Sequence, residues 1–308
     1  MFPQGGRARA GEEMSEIDGP DFICVGMPKT GTGWLYDQLQ CHPDFWMPPV
    51  KEILYLHRAV PQIPLEGGRG GFALKKAGRR RRQEPKPHEL PRDEALDRAF
   101  IEAAKAASGQ PMDLSRYIGL FRFKGERLSG DISPIYTELD PAVIAQLKER
   151  LPRTKLLMIA RDPVARAWSR ISMAHRGGEF DERTLSDADA LRTYLERSVR
   201  VQGKSFPTRI VAHWKTHAPE MAFRTFLFDD ISAEPEKTRR EIWSYLGADP
   251  DKPAALPADY NRKSKAKKLE MTESARAVLV DYFADELKAC ATLFGGRARE
   301  WPGKYGVE

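Results

Sequence analysis

Phe22-Ile23-Cys24-Val25-Gly26-Met27-Pro28-Lys29-Thr30-Gly31-Thr32-Gly33 runs from an apolar segment of strand length into a glycine-rich turn. The four apolar residues predict a buried strand that stops at Gly26. Beyond the turn, Trp34, Leu35 and Leu39 have helical spacing, and the His42-Pro43 pair ends that helix. A glycine-rich turn between a strand and a helix aims backbone N–H groups at one point near the helix N-terminus, which makes an anion site suited to a phosphate. Gly31 and Gly33 let the backbone approach such a ligand closely, Thr30 and Thr32 add hydroxyl donors, and Lys29 supplies a cation. In the G-x-x-x-x-G-K-[ST] pattern of ATP-binding loops the lysine follows the last glycine, whereas Lys29 precedes Gly31. Spacing alone leaves a phosphate loop and a merely tight turn both open.

The same order of elements recurs downstream. Lys155-Leu156-Leu157-Met158-Ile159-Ala160 reads as a second buried strand, followed by Arg161-Asp162-Pro163 and a helix from Val164 to about His175. Pro163 suits the first helical turn, where a missing N–H leaves no bond unmade. Pro141 to Arg150 reads as an amphipathic helix feeding that strand, and Ala222 to Phe228 as a third strand. Pro235 to Leu246 reads as a helix closed by Gly247, and about Thr272 to Phe294 as the last helix. Strands alternating with helices predict an α/β fold with a central parallel sheet, P-loop-like, covered by helices on both faces. A single domain is expected over 21–308, preceded by a disordered tail over 1–20. About 60–128 is expected to be variable and to recognise the acceptor, with a mobile insertion from about Gly67 to Pro91 around Arg79-Arg80-Arg81-Arg82. Those four arginines are read as a solvated loop, with contact to an acidic substrate or nucleic acid as the alternative.

Composition narrows the classes. A chain of 308 residues with 41% hydrophobic and 31% charged residues is that of a globular protein able to bury a sizeable core. The formal charge of +6 draws in polyanions without choosing among nucleic acid, anionic lipid, a nucleotide or an acidic glycan. Cys24, Cys41 and Cys290 are too few and too far apart for a disulfide framework or a zinc cluster. No segment approaches the roughly 20 apolar residues of a spanning helix, so a soluble, cytoplasmic protein is expected.

Residues Gly26 to Thr32 resemble the P-K-[ST]-G-[ST]-[ST] loop of the sulfotransferases that use 3'-phosphoadenosine-5'-phosphosulfate (PAPS). Arg161-Asp162-Pro163-Val164-Ala165-Arg166-Ala167-Trp168-Ser169 resembles the same family's R-[DN]-P-x-x-R-[AL]-x-S signature. Two motifs in the right order, each on a strand-turn-helix, are far more specific than either alone. The resemblance implies that Lys29, Thr30, Gly31, Thr32 and Gly33 hold the 5'-phosphosulfate and that Arg161 and Ser169 bind the 3'-phosphate. Arginine's fork suits a phosphate, and Ser169 lies two turns along the helix; a surface Arg161–Asp162 pair beside a buried Trp168 is the alternative. The stretch from Phe228-Asp229-Asp230 to Leu246-Gly247 is also similar to the family and reads as scaffold.

Sulfuryl transfer to a hydroxyl needs a base, cations for the sulfuryl oxygens and charge compensation on the departing phosphate. In the branch resembling the heparan sulfate sulfotransferases, the segment similar to Lys51-Glu52-Ile53-Leu54-Tyr55 carries the base, which implies Glu52; a plain surface carboxylate is the alternative. Leu54 stands where that branch often has a histidine. The resemblance gives Lys29 the charge on the departing 5'-phosphate. Ser129-Gly130-Asp131-Ile132-Ser133-Pro134-Ile135-Tyr136 resembles the family's G-E-K-[ST]-P-x-Y strand end, with Asp131 open as a second base, as an orienter of Lys29, or as a turn carboxylate. His57 is a further candidate base. Arg262-Lys263-Ser264-Lys265-Ala266-Lys267-Lys268 resembles the branch's G-K-S-K-G-R loop, which implies cofactor contacts for Lys265 and Lys267; a solvated lysine run is the alternative.

The expected activity is sulfuryl transfer from PAPS to a hydroxyl, or in second place an amine, of a carbohydrate, lipid or small-molecule acceptor. Adenosine 3',5'-bisphosphate would be the other product, and no metal is required. A P-loop kinase, which normally needs Mg²⁺, and a non-enzymatic nucleic-acid-binding module using Arg79–Arg82 and Lys263–Lys268 are the alternatives. Nothing in the sequence points to an oligomeric state.

Overall fold

A computed structural model of the chain describes residues 19–59, 93–108, 111–260 and 269–308. The tail, the Arg79–Arg82 run, and Lys265 and Lys267 lie outside the described residues. Four parallel strands form one sheet: β1 (Phe22–Gly26), β2 (Gly130–Ile132), β3 (Lys155–Ala160) and β4 (Phe223–Leu227), in the order β2-β1-β3-β4. Ile23 lies opposite both Asp131 and Leu156, which fixes the register of the two pairs that β1 makes.

The strand side chains alternate between two apolar layers, as the pleat requires. Phe22, Cys24, Leu157, Ile159 and Phe226 face one layer, where the helices Thr32–Gln40 and Pro235–Leu246 contribute Trp34, Leu35, Leu39, Ile242 and Trp243. Ile23, Val25, Leu156, Met158 and Ala160 face the other, against Pro141–Arg150, Pro163–Arg176, Pro207–His217 and Glu273–Phe294. A sheet buried on both sides explains why its strands read as continuous apolar runs. The expected parallel sheet between two helical layers is therefore the observed fold.

Local signals set several boundaries. Asp162 caps Pro163–Arg176 by accepting from the amides of Val164 at 2.9 Å and Ala165 at 3.1 Å, with Pro163 in the first turn. Gly247 closes Pro235–Leu246 at φ 101°. Of the region expected to vary, 93–108 and 111–128 are described, and Phe100, Tyr117 and Phe121 there are fully buried in the core. The helices Glu94–Ser108 and Leu114–Gly119 thus form part of the scaffold.

Candidate active site

The turn after β1 has two left-handed residues, Lys29 at φ 74° and Gly31 at φ 90°. Gly31 tolerates that backbone without strain, and a β-carbon on it would meet the Phe228 ring at 3.1 Å. Gly33 is exposed, and a β-carbon there would meet nothing within 4 Å. The helix Thr32–Gln40 starts at Gly31 with no side-chain cap, in contrast to the Asp162-capped helix of the next unit. Its first N–H groups are left to whatever anion approaches. Thr30 departs from expectation: its buried hydroxyl donates to the Met27 carbonyl at 2.7 Å, so it stitches the turn, and what it offers an anion is its N–H.

The second strand-turn-helix buttresses this loop through arginines. Arg161 Nη1 donates to the Lys29 carbonyl at 3.0 Å, and its guanidinium lies 4.5 Å from the Phe228 ring centre. Arg166 Nε donates to the Pro28 carbonyl at 3.1 Å, while its Nη1 reaches the Arg200 carbonyl and Ser205 Oγ. Arg166 is fully buried, and burial, helped by Arg170 and Arg161, pushes its guanidinium down to about 9. Arg170 donates to Glu179 at 2.6 Å. Asp162 forms no surface pair with Arg161; it caps its helix and accepts from Lys304 and Tyr305.

Lys29 Nζ lies 3.7 Å from Met173 Sδ. Burial lowers the ammonium's pKa first, and Arg176, Arg161, Arg166 and Arg170 lower it further. Ser169, half-buried, is four residues before Met173 and seven before Arg176, so all three share the helix face that Lys29 meets. Of these cations Arg170 is paired with Glu179, while the Lys29 ammonium has the Met173 sulfur as its hydrogen-bond partner, an excess of positive charge that an anion would offset. Arg166 and Phe228 are the parts sequence reasoning passed over, although both stand inside the quoted motifs.

Glu52 sits in a segment of unusual backbone, with φ 67° at Glu52 and φ 60° at Leu54. Its carboxylate pairs with Lys51 Nζ at 2.6 Å, and its side chain is 46% exposed, so it is open to a substrate. Asp131 is fully buried at β2 and receives Ser133 Oγ at 2.6 Å, Tyr136 Oη at 3.0 Å, Tyr117 Oη at 3.2 Å and the Ile53 N–H. Burial pushes the carboxyl up to about 6 against the pull of those donors. Lys29 meets Met173, and the orientation of Lys29 expected from Asp131 has no counterpart in these contacts. The Leu54 amide meets Ser133 Oγ at 3.1 Å, one residue beyond Ile132, which lies opposite Cys24 of β1, and this puts the Glu52 segment beside the β1 end where the loop begins. His57 is half-buried with Nε2 unpaired, and burial lowers its pKa.

A glycine-rich turn at the end of a central parallel strand, braced by arginines from the neighbouring strand-turn-helix, places the chain among α/β proteins of P-loop-like fold. The model of the Sulfotransferase family matches residues 20–252, most of the chain, and the chain belongs to that family, which makes it a transferase. Among solved structures, a sulfotransferase from Alicyclobacillus acidocaldarius superposes with a TM-score of 0.60 at 21% identity, over 92% of this chain and 98% of that one. That likeness shows the fold. The sulfotransferase domains of the Synechococcus PCC 7002 olefin synthase and of the curacin biosynthetic pathway align at 16% and 15% identity, covering 86% and 94% of this chain and 95% and 98% of theirs. Their TM-scores are 0.47 and 0.49. No curated protein matches the chain. No helix among the described residues is long and apolar enough to cross a membrane.

Proposed function

We propose that the chain moves a sulfuryl group from PAPS to a hydroxyl, or in second place an amine, of a carbohydrate, lipid or small-molecule acceptor. The observation that carries this reading is the site of Lys29: a half-buried side chain beside an uncapped helix start, in a loop whose Lys29 and Pro28 carbonyls are held by Arg161 and Arg166. A doubly charged donor such as a phosphosulfate fits there by charge and by the number of N–H groups. Arg161, which already holds the Lys29 carbonyl, and Ser169 further along the same face are assigned to the 3'-phosphate.

In the proposed step the acceptor oxygen bonds to sulfur as the bond from sulfur to the 5'-phosphate oxygen breaks. The acceptor proton passes to the exposed Glu52 carboxylate, and the electron pair leaves with adenosine 3',5'-bisphosphate, whose new charge Lys29 offsets. Incubation with ³⁵S-labelled PAPS and a panel of sugars, lipids and phenols is expected to label at least one acceptor. Conversion of none, by protein that binds adenosine 3',5'-bisphosphate, would remove the transfer reading while leaving the binding one.

A further inference from the structure

The backbone of the Glu52 segment is held by side chains distant in sequence, and their hydrogen bonds have a direction. Asp131, as a carboxylate, only accepts. Ser133 Oγ and Tyr136 Oη therefore turn their protons toward Asp131, at 2.6 Å and 3.0 Å. Their lone pairs are left facing the other way, where Ser133 Oγ accepts from the Leu54 amide at 3.1 Å and Tyr136 Oη from the Leu56 amide at 3.2 Å. The Ile53 amide reaches Asp131 itself. One buried carboxylate thus fixes three amides of a five-residue stretch, one directly and two through oriented hydroxyls.

That stretch needs fixing. Glu52 and Leu54 are both left-handed, a conformation that costs a non-glycine residue about 1–2 kcal/mol. Such backbone persists only where its surroundings over-determine it, and it gathers at functional sites. A free segment would relax to an extended path, and with φ reversed at Glu52 its carboxylate would leave the mouth of the loop.

We propose that Asp131, Ser133 and Tyr136 are positioning residues that clamp the 52–56 backbone and thereby aim the Glu52 carboxylate at the acceptor, an inference that rests on Glu52 being the base. Asp131 does not itself take the acceptor proton: it is fully buried and both its oxygens are occupied.

The test measures PAPS turnover as release of adenosine 3',5'-bisphosphate, with water or the labelled acceptor as nucleophile, in Ser133→Ala, Tyr136→Phe, Ser133→Thr, Glu52→Gln and the double variant Glu52→Gln/Ser133→Ala. Ser133→Ala and Tyr136→Phe should each lower kcat about ten-fold, since small misplacements of a reacting group have effects of that order, with the Kd for adenosine 3',5'-bisphosphate unchanged. Ser133→Thr, which keeps the hydroxyl, should recover most of the loss. The double variant should be no slower than Glu52→Gln alone, because a residue acting only through Glu52 has nothing left to position. Wild-type turnover in Ser133→Ala alongside a slow Glu52→Gln would overturn the clamp and spare the base. Losses that multiply in the double variant would reduce Ser133 to scaffold. Normal turnover in Glu52→Gln would overturn the base and with it this inference. Should Tyr136→Phe fail to fold, Ser133→Ala and its double variant decide the matter, as they remove one hydroxyl group.

Discussion

The glycine-rich loop and the Glu52 segment both put non-glycine residues in the left-handed region, yet they differ in how much of their shape is local. The loop makes part of its own shape, since Gly31 takes a left-handed turn and Thr30 bonds back to Met27, and the next unit braces it with arginine bonds to the Pro28 and Lys29 carbonyls. The Glu52 segment has no glycine between Val50 and Leu56 and borrows its shape from Asp131, Ser133 and Tyr136, about eighty residues later. A loop built to meet an anion with its backbone can be encoded partly by its own glycine and threonine, with distant arginines bracing it. A segment that must aim one side chain is held from outside.

Substitutions can break this contrast. The largest effect is expected at Lys29→Ala, which should reduce sulfuryl transfer about 10³-fold, since it removes a preorganised charge from the leaving group. Thermal stability should hardly move, because the Lys29 ammonium touches little beyond Met173 and alanine meets the same φ. Glu52→Gln comes next: loss of a general base should slow turnover about 10²-fold with adenosine 3',5'-bisphosphate binding retained. A binding defect in Glu52→Gln would merge the two regions into one site and end the comparison. Gly31→Ala sharpens it from the other side. The left-handed backbone and the Phe228 ring at 3.1 Å should weaken bisphosphate binding about ten-fold, following a strain of about 1–2 kcal/mol. Equal loss of binding in Ser133→Ala would contradict the separation of roles.

The same contrast explains what the sequence disclosed. Lys155–Ala160, Pro141–Arg150 and Pro235–Leu246 were legible to the residue because buried parallel strands leave apolar runs and because Pro and Gly mark the helix ends. The strand and helix that flank the loop, Phe22–Gly26 and Thr32–Gln40, were legible because their determinants are contiguous. Three-residue β2 is too short for any period, and Tyr117 stands in a region expected to vary although its hydroxyl meets Asp131. Glu52 could be picked out by its resemblance, but nothing near it announces a left-handed turn. Arg166, in the middle of a quoted motif, was passed over because a buried arginine bonded to backbone carbonyls looks, in sequence, like any helix-surface arginine.

The loop as the cradle of a nucleotide's phosphosulfate is the centre of this account, and thermal unfolding with and without ligand tests it most directly. A ligand that binds only the folded state raises the melting temperature, and the rise grows with the logarithm of ligand concentration over Kd. Adenosine 3',5'-bisphosphate, with no metal added, is predicted to raise it by several degrees in the wild-type chain and by clearly less in Gly31→Ala. Stabilisation by ATP with Mg²⁺, with no response to the bisphosphate, would contradict the account.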